Sequence, residues 1–228
     1  TLFVADRDNN RVLRFDVAPS TMDSGIAASG VLGQSNFTDN TAGFFDAGLE
    51  EPSRLAYDSF RKWLFVSDTS NNRVMVFDVS AVDAGEAAIA VLGQPNFSSR
   101  DAGFSAMWKP LGLALEIDGG ASRLFVVDSY NNRVLVFDTV SVVSGEPPVA
   151  VLGQPDFDAS GLGTTPTTLY APDGVVTTNI NGHRWLYVAD LNNHRVMGYE
   201  IGALDSGIAA TTLLGHVSDG EPIFTSKC

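Results

Sequence analysis

A single cysteine in 228 residues, placed at the last position, excludes an internal disulfide. Cys228 could pair only between chains, and it reads more simply as the point where a longer protein was cut. The three histidines, His183, His194 and His216, all fall in the last quarter of the chain. A zinc site needs several such ligands to converge. Two of these histidines stand where other copies of the local pattern carry Asn or Gln, so they read as drift at tolerant positions, and no metal ligand is assigned. Basic runs are missing: 14 Lys and Arg face 27 Asp and Glu, a net charge of −13. That surface repels phosphate backbones and anionic membranes, so no nucleic-acid partner is expected. No apolar stretch approaches the ~20 residues that span a bilayer, so no membrane insertion is expected. No signal peptide is visible. The chain opens at Thr1 directly against a strand, which reads as a processed or truncated N-terminus. G-x-S-x-G, H-E-x-x-H and P-loop patterns are all missing, so no catalytic residue is assigned and no cofactor is expected.

What is present is repetition. Four segments align without gaps: LFVADRDNNRV (2–12), LFVSDTSNNRV (64–74), LFVVDSYNNRV (124–134) and LYVADLNNHRV (186–196). Their aspartates, Asp6, Asp68, Asp128 and Asp190, are spaced by 62, 60 and 62 residues. GVLGQSNF (30–37), AVLGQPNF (90–97), AVLGQPDF (150–157) and TLLGH (212–216) keep the same period. So do DSGIAA (23–28), DAGEAA (83–88), VSGEPP (143–148) and DSGIAA (205–210), and, in three copies, PSRLAYD (52–58), PLGLALEID (110–118) and PDGVVTT (172–178). Each repeat reads as four strands: RLAYD-type, LFVxD, RVxxFD and xVLG. Val, Leu and Phe fill them, and an Asn-Asn pair tolerates the positive φ of a tight hairpin between the second and third. Four antiparallel strands repeated at a fixed period make the blades of a β-propeller, an all-β fold. Helical periodicity is weak, with DVSAVDAGE (78–86) the one stretch that could form a turn of helix.

LFVSDTSNNRVMVFD and LYVADLNNHRVMGYE resemble the NHL repeat: an apolar strand, an Asp, an Asn-rich turn, Arg-Val and a further strand. The VLGQPNF tails resemble a bacterial subgroup with long repeats. The resemblance covers essentially the whole chain. It implies a propeller, most often six-bladed, serving chiefly as a binding platform, although some related propellers are zinc lyases, calcium lactonases or RNA binders. Only four repeats are present, so either a closed four-bladed ring or part of a six-bladed one is expected. As one domain, 1–228 divides into blade 1 (about 1–37, without its inner strand), blade 2 (about 51–97), blade 3 (about 109–157) and blade 4 (about 171–216). EPIFTSKC (221–228) resembles EPSRLA (51–56), so 217–228 is a possible ring-closing strand.

The pairs Asp6–Arg11, Asp68–Arg73, Asp128–Arg133 and Asp190–Arg195 recur in every repeat, which assigns them to holding the turn, because a catalytic site on a fold is local and asymmetric. The connectors 35–52, 95–110 and 155–172 vary while the strands do not, and variable loops on a rigid scaffold are where binding sits. Their non-recurring aromatics, Phe44, Phe45, Phe104, Trp108 and Tyr170, are the candidate binding residues; Phe37, Phe97 and Phe157 recur and read as structural. Asn36-Phe37-Thr38 and Asn96-Phe97-Ser98 are glycosylation sequons, making Asn36 and Asn96 candidate acceptors. The expected function is non-catalytic binding, scaffolding or assembly, with a protein or glycan partner, self-association included, in an extracellular or cell-surface setting. The alternative is a metal-dependent lyase or lactonase-like enzyme.

Overall fold

The computed structural model describes residues 1–17, 24–103, 106–118, 121–215, 217–218 and 221–222, the backbone alone at 121, 217–218 and 221–222. The fold is all-β, with no α-helix among the described residues. Blade 1 is a three-stranded antiparallel sheet of β1 (Leu2–Asp6), β2 (Arg11–Phe15) and β3 (Gly30–Leu32). Blade 2 adds an inner strand: β4 (Pro52–Asp58), β5 (Trp63–Asp68), β6 (Arg73–Asp78) and β7 (Ala90–Leu92). Blade 3 repeats this with β8 (Pro110–Asp118), β9 (Ala121–Asp128), β10 (Arg133–Asp138) and β11 (Ala150–Leu152), and blade 4 with β12 (Gly174–Ile180), β13 (His183–Asp190), β14 (Arg195–Glu200) and β15 (Thr212–Leu214). A short hairpin, β16 (Val217–Ser218) with β17 (Glu221–Pro222), follows. Residues 223–228, which complete EPIFTSKC, lie outside the described residues, as does His216.

The chain forms two compact units, Thr1–Arg100 with Val143–Gly145, and Asp101–Val142 with Glu146–Cys228. Each has its own core. In the first, Val12 and Leu32 of blade 1 pack on Leu64, Val66, Met75, Phe77 and Val91 of blade 2. In the second, Phe125, Val127, Val134, Val136 and Leu152 of blade 3 pack on Leu186, Val188, Met197, Tyr199 and Leu213 of blade 4. The two blades of this unit meet through opposite sheet faces, and the strands of blade 3 read as continuous apolar runs rather than alternating ones. Each such side chain contributes about 1.5–3 kcal/mol by leaving water.

The inner strands of blades 3 and 4 come very close at Gly112, whose N–H donates to the Asp173 carbonyl at 3.0 Å. A Cβ there would lie 2.8 Å from that oxygen and 3.0 Å from the Val175 nitrogen. Further along, the Thr177 hydroxyl donates to the Leu115 carbonyl at 3.1 Å.

The 78–86 stretch does not become helical. Asp78 ends β6, its carboxylate accepts the Ser80 N–H at 2.9 Å, and Gly85 turns the chain at φ +80. A side-chain acceptor and a left-handed glycine both compete with a helical turn. The connection between the second and third strands of each repeat is also more than an Asn-Asn hairpin. Three residues, such as Thr69–Asn71, form a 3-10 turn, and the next one alone takes the left-handed conformation: Asn10, Asn72, Asn132 and His194 all have φ of 53–55°.

Candidate functional site

The Asp–Arg pairs brace these turns. In blade 2 the Arg73 Nε donates to Asp68 Oδ2 at 2.7 Å, and both side chains are fully buried. The same 2.7 Å contact joins Arg11 to Asp6, Arg133 to Asp128 and Arg195 to Asp190. The rest of each guanidinium reaches the long connectors through their backbone. Arg73 donates to the carbonyls of Phe44 (2.8 Å), Phe45 (3.1 Å) and Gly48 (3.1 Å), and to that of Phe97 in the next connector. Arg195 donates likewise to Thr164, Thr165 and Thr168. The remaining Asp oxygen accepts a connector N–H: Glu50 (2.6 Å), Trp108 (2.7 Å) or Tyr170 (2.7 Å). The third turn residue joins in, with the Asn71 amide donating to both Asp68 and the Gly43 carbonyl. Each turn is therefore a charged hub that fixes a loop by its main chain.

Burial pushes the Asp68 carboxyl up to about 6 from an ordinary 3.8, against the opposing pull of Arg73 and the donated hydrogen bonds. Asp128 is raised for the same reason. An unfolded chain releases this proton near ~3.9. Between about pH 4 and 6 the folded chain holds more of it, so this group's contribution to stability falls as pH rises through that window. Carboxyl-carbon NMR of the folded protein should show Asp68 titrating with a midpoint near 6. A midpoint at its ordinary value would contradict this account of its environment.

Onto these hubs the chain places variable side chains in equivalent positions. The connector residue whose N–H meets the Asp also accepts a hydrogen bond from the turn: Ser70 N–H to Glu50, Tyr130 N–H to Trp108, Asn192 N–H to Tyr170. In blade 3 this pairing brings two aromatic rings together. Trp108 and Tyr130 stand edge to face with centroids 5.4 Å apart, 41% and 57% exposed. Tyr170, half-buried, follows on the same side: the neighbouring Ala171 N–H donates to the Asn132 side chain, which caps the turn carrying Tyr130. Leu191 in the blade 4 turn is exposed as well.

Of the connector aromatics expected to bind, Trp108 and Tyr170 thus share one face of the second unit. Phe44 and Phe45 sit together in the first unit, centroids 4.4 Å apart, with the Arg100 guanidinium 4.5 Å from the Phe44 ring centre. Phe104 lies outside the described residues. Tyr130 and Leu191 lie in the turns, outside the variable connectors. Their signal is a variable position inside an otherwise invariant Asp-x-x-Asn turn. Asn36 and Asn96 are exposed, and each carboxamide oxygen accepts the N–H groups two and three residues on. Asp156 does the same in the third copy, so the position also serves a turn.

At the opposite ends of the same inner strands, a polar cleft of about 240 Å³ is lined by Leu115, Glu116, Asp118, Thr177, Asn179 and Arg184 among others. Its carboxylates are committed to guanidinium groups: Glu116 to Arg123 and Arg184, Asp118 to Arg184. His183 pairs with Glu200 at 2.7 Å on the surface. Among the described residues, no group of three His, Cys, Asp or Glu side chains converges on a point.

No family model matches the chain, and no curated protein matches it. Among solved structures, it is similar to an auxiliary nutrient binding protein from Bacteroides thetaiotaomicron VPI-5482, with 11% identity and a TM-score of 0.54. The match covers 86% of this chain and spans 44% of that protein's length. At that identity the likeness is one of fold, and it agrees with the sheet architecture in making this chain a β-propeller type of structure.

Proposed function

We propose that this chain is a non-catalytic binding module built on NHL-type repeats, and that it holds a glycan or peptide segment on the turn face through Trp108, Tyr130 and Tyr170. The observation that carries the reading is the exposed Trp108–Tyr130 pair on a backbone-clamped turn. Aromatic rings offer large contact area at low conformational cost, and the clamp removes the loop ordering that binding otherwise costs. The fold neighbour's description as a nutrient binding protein supports a binding role over a catalytic one. Two exposed sequons, at Asn36 and Asn96, are in keeping with an extracellular or cell-surface setting.

The test is a screen of the wild-type protein on oligosaccharide and peptide arrays, followed by titration of the variants Trp108→Ala, Tyr130→Ala and Phe60→Ala. Phe60 is the control: an exposed aromatic remote in sequence from this face. Losing one stacking ring should weaken binding roughly 10-fold or more, since hot-spot rings carry ~2 kcal/mol or more. Phe60→Ala should bind normally. Equal affinity of all three variants for every retained ligand would falsify the assignment.

A further inference from the structure

Two adjacent residues of the blade 2 turn bring together side chains from two different connectors. Arg73 holds the first connector at the carbonyls of Phe44 and Phe45. Its neighbour Asn72 holds the second at the carbonyl of Arg100, at 3.2 Å. The Arg100 guanidinium thereby lies 4.5 Å from the centre of the Phe44 ring, and the Phe45 ring lies 4.4 Å from that of Phe44. Arg100 is exposed, and Phe45 is 60% exposed. All five residues belong to the first unit.

The other repeats show that the fold needs none of these three side chains. Asn10 and Asn132 make the same hydrogen bond to the carbonyls of Asn40 and Ser160, at 2.8 and 2.9 Å. Of the three residues so held, only Arg100 carries a charge. Arg195 likewise holds Thr164 and Thr165 as Arg73 holds Phe44 and Phe45. A guanidinium over an aromatic face keeps its N–H donors for other partners, and their planar fork matches a carboxylate. Among the described residues Arg100 is in no ion pair, unlike Arg61, Arg123 and Arg184. In a chain of net charge −13, one such cation suits a ligand with a single isolated negative charge, because the rest of the surface repels a polyanion. The exposed Phe45 ring suits a ligand with an apolar face. A uronic-acid residue in an otherwise neutral sugar chain has both, a carboxylate fixed to a ring with a C–H-rich face. An acidic peptide carries its carboxylates on flexible stems that must be ordered first.

We infer that Phe44, Phe45 and Arg100 form a second binding site, in the first unit, for a uronic-acid residue, with its carboxylate on Arg100 and its ring against Phe45. Trp108 and Tyr130 belong to the second unit, so this site stands apart from the one proposed above. The full chain is titrated with a disaccharide of glucuronic acid linked to glucose and with its all-glucose counterpart, by calorimetry or saturation-transfer NMR. The acidic sugar should bind about 10-fold more tightly or better, the worth of a charge-assisted hydrogen-bonded pair. Arg100→Gln should abolish that preference. Arg100→Lys, which keeps the charge and loses the fork, should not preserve it in full. Phe45→Ala should weaken both sugars several-fold and leave their ratio unchanged. Arg100→Gln keeps the backbone carbonyl that Asn72 holds, so its melting temperature should match the wild type. The proposal is overturned if the acidic sugar fails to bind in the millimolar range or shows no advantage over the neutral one. It is equally overturned if the advantage survives Arg100→Gln, or survives whole in Arg100→Lys. A lowered melting temperature of Arg100→Gln would return the residue to a structural role. Equal, Arg100-dependent binding of a peptide with a free terminal carboxylate would give the site to peptides instead.

Discussion

Replacing Arg73 by Met should cost about 3–5 kcal/mol, because it strands a buried carboxylate without its counter-charge. Arg73 and Asp68 are both 0% exposed, so no water can take the place of the lost partner. The carbonyls of Phe44, Phe45 and Gly48 lose a donor at the same time. A domain stable by roughly 5–15 kcal/mol would surrender about a fifth or more of that margin. Urea denaturation with intrinsic fluorescence measures the loss. Hydrogen exchange should rise first at 43–49, whose backbone the guanidinium holds. Arg11→Met is the matched comparison. Its pair with Asp6 is partly open to solvent, and exposed pairs are worth about 0–1 kcal/mol. Its cost should be clearly smaller. Equal losses at the two sites would mean that burial of the hub is not what makes it matter.

Gly153→Ala should be nearly as damaging, for a different reason. Gly153 has φ +80, a region that costs an L-residue about 1–2 kcal/mol. An added Cβ would also sit 2.4 Å from Leu169 Cδ1 and 2.6 Å from its Cγ. Leu169 is fully buried and has nowhere to retreat, and overpacking of this kind costs about 1–3 kcal/mol. Together the expected loss is about 2–5 kcal/mol. Gly25→Ala separates the two contributions. It has φ +84 with nothing within 4 Å of the added atom, so it should carry the backbone cost alone. Truncating Leu169 as well as substituting Gly153 should cost less than the two single changes added together, because the smaller side chain makes room for the methyl group. Strict additivity would show that the steric clash contributes nothing.

The parts of this molecule that sequence reveals are those where each repeat needs the same residue type. The LFVxD, RVxxFD and xVLG strands declare themselves because they are apolar in every copy. The Asp and Arg declare themselves because the hub recurs. What the Arg holds is invisible beforehand: its acceptors are backbone carbonyls, and the residues that own them, Phe44, Gly48 or Thr164, share no side-chain chemistry. Equally hidden is the left-handed backbone just before each inner strand. Glu51, Lys109 and Ala171, each preceding a proline, have φ of 51°, 53° and 45°, and no turn-forming residue marks them. Tyr130 lies in a turn rather than in a variable connector, so the Trp108–Tyr130 pair joins one residue of each kind. Its partner Trp108 is expected, but the contact between them depends on a main-chain hydrogen bond that side-chain patterns do not record.

The hubs grip the connectors almost wholly through main-chain atoms, and this separates how a loop is anchored from what it displays. A connector of another sequence could be fastened by the same guanidinium, provided that it returns its carbonyls to the same places. The three full connectors already differ in this way, presenting Glu50, Trp108 and Tyr170 from one geometry. Specificity could then diversify one blade at a time, by exchange of loop text over an unchanged grammar of turns. The same property makes these segments natural sites for grafting a chosen recognition sequence without redesigning the sheets beneath.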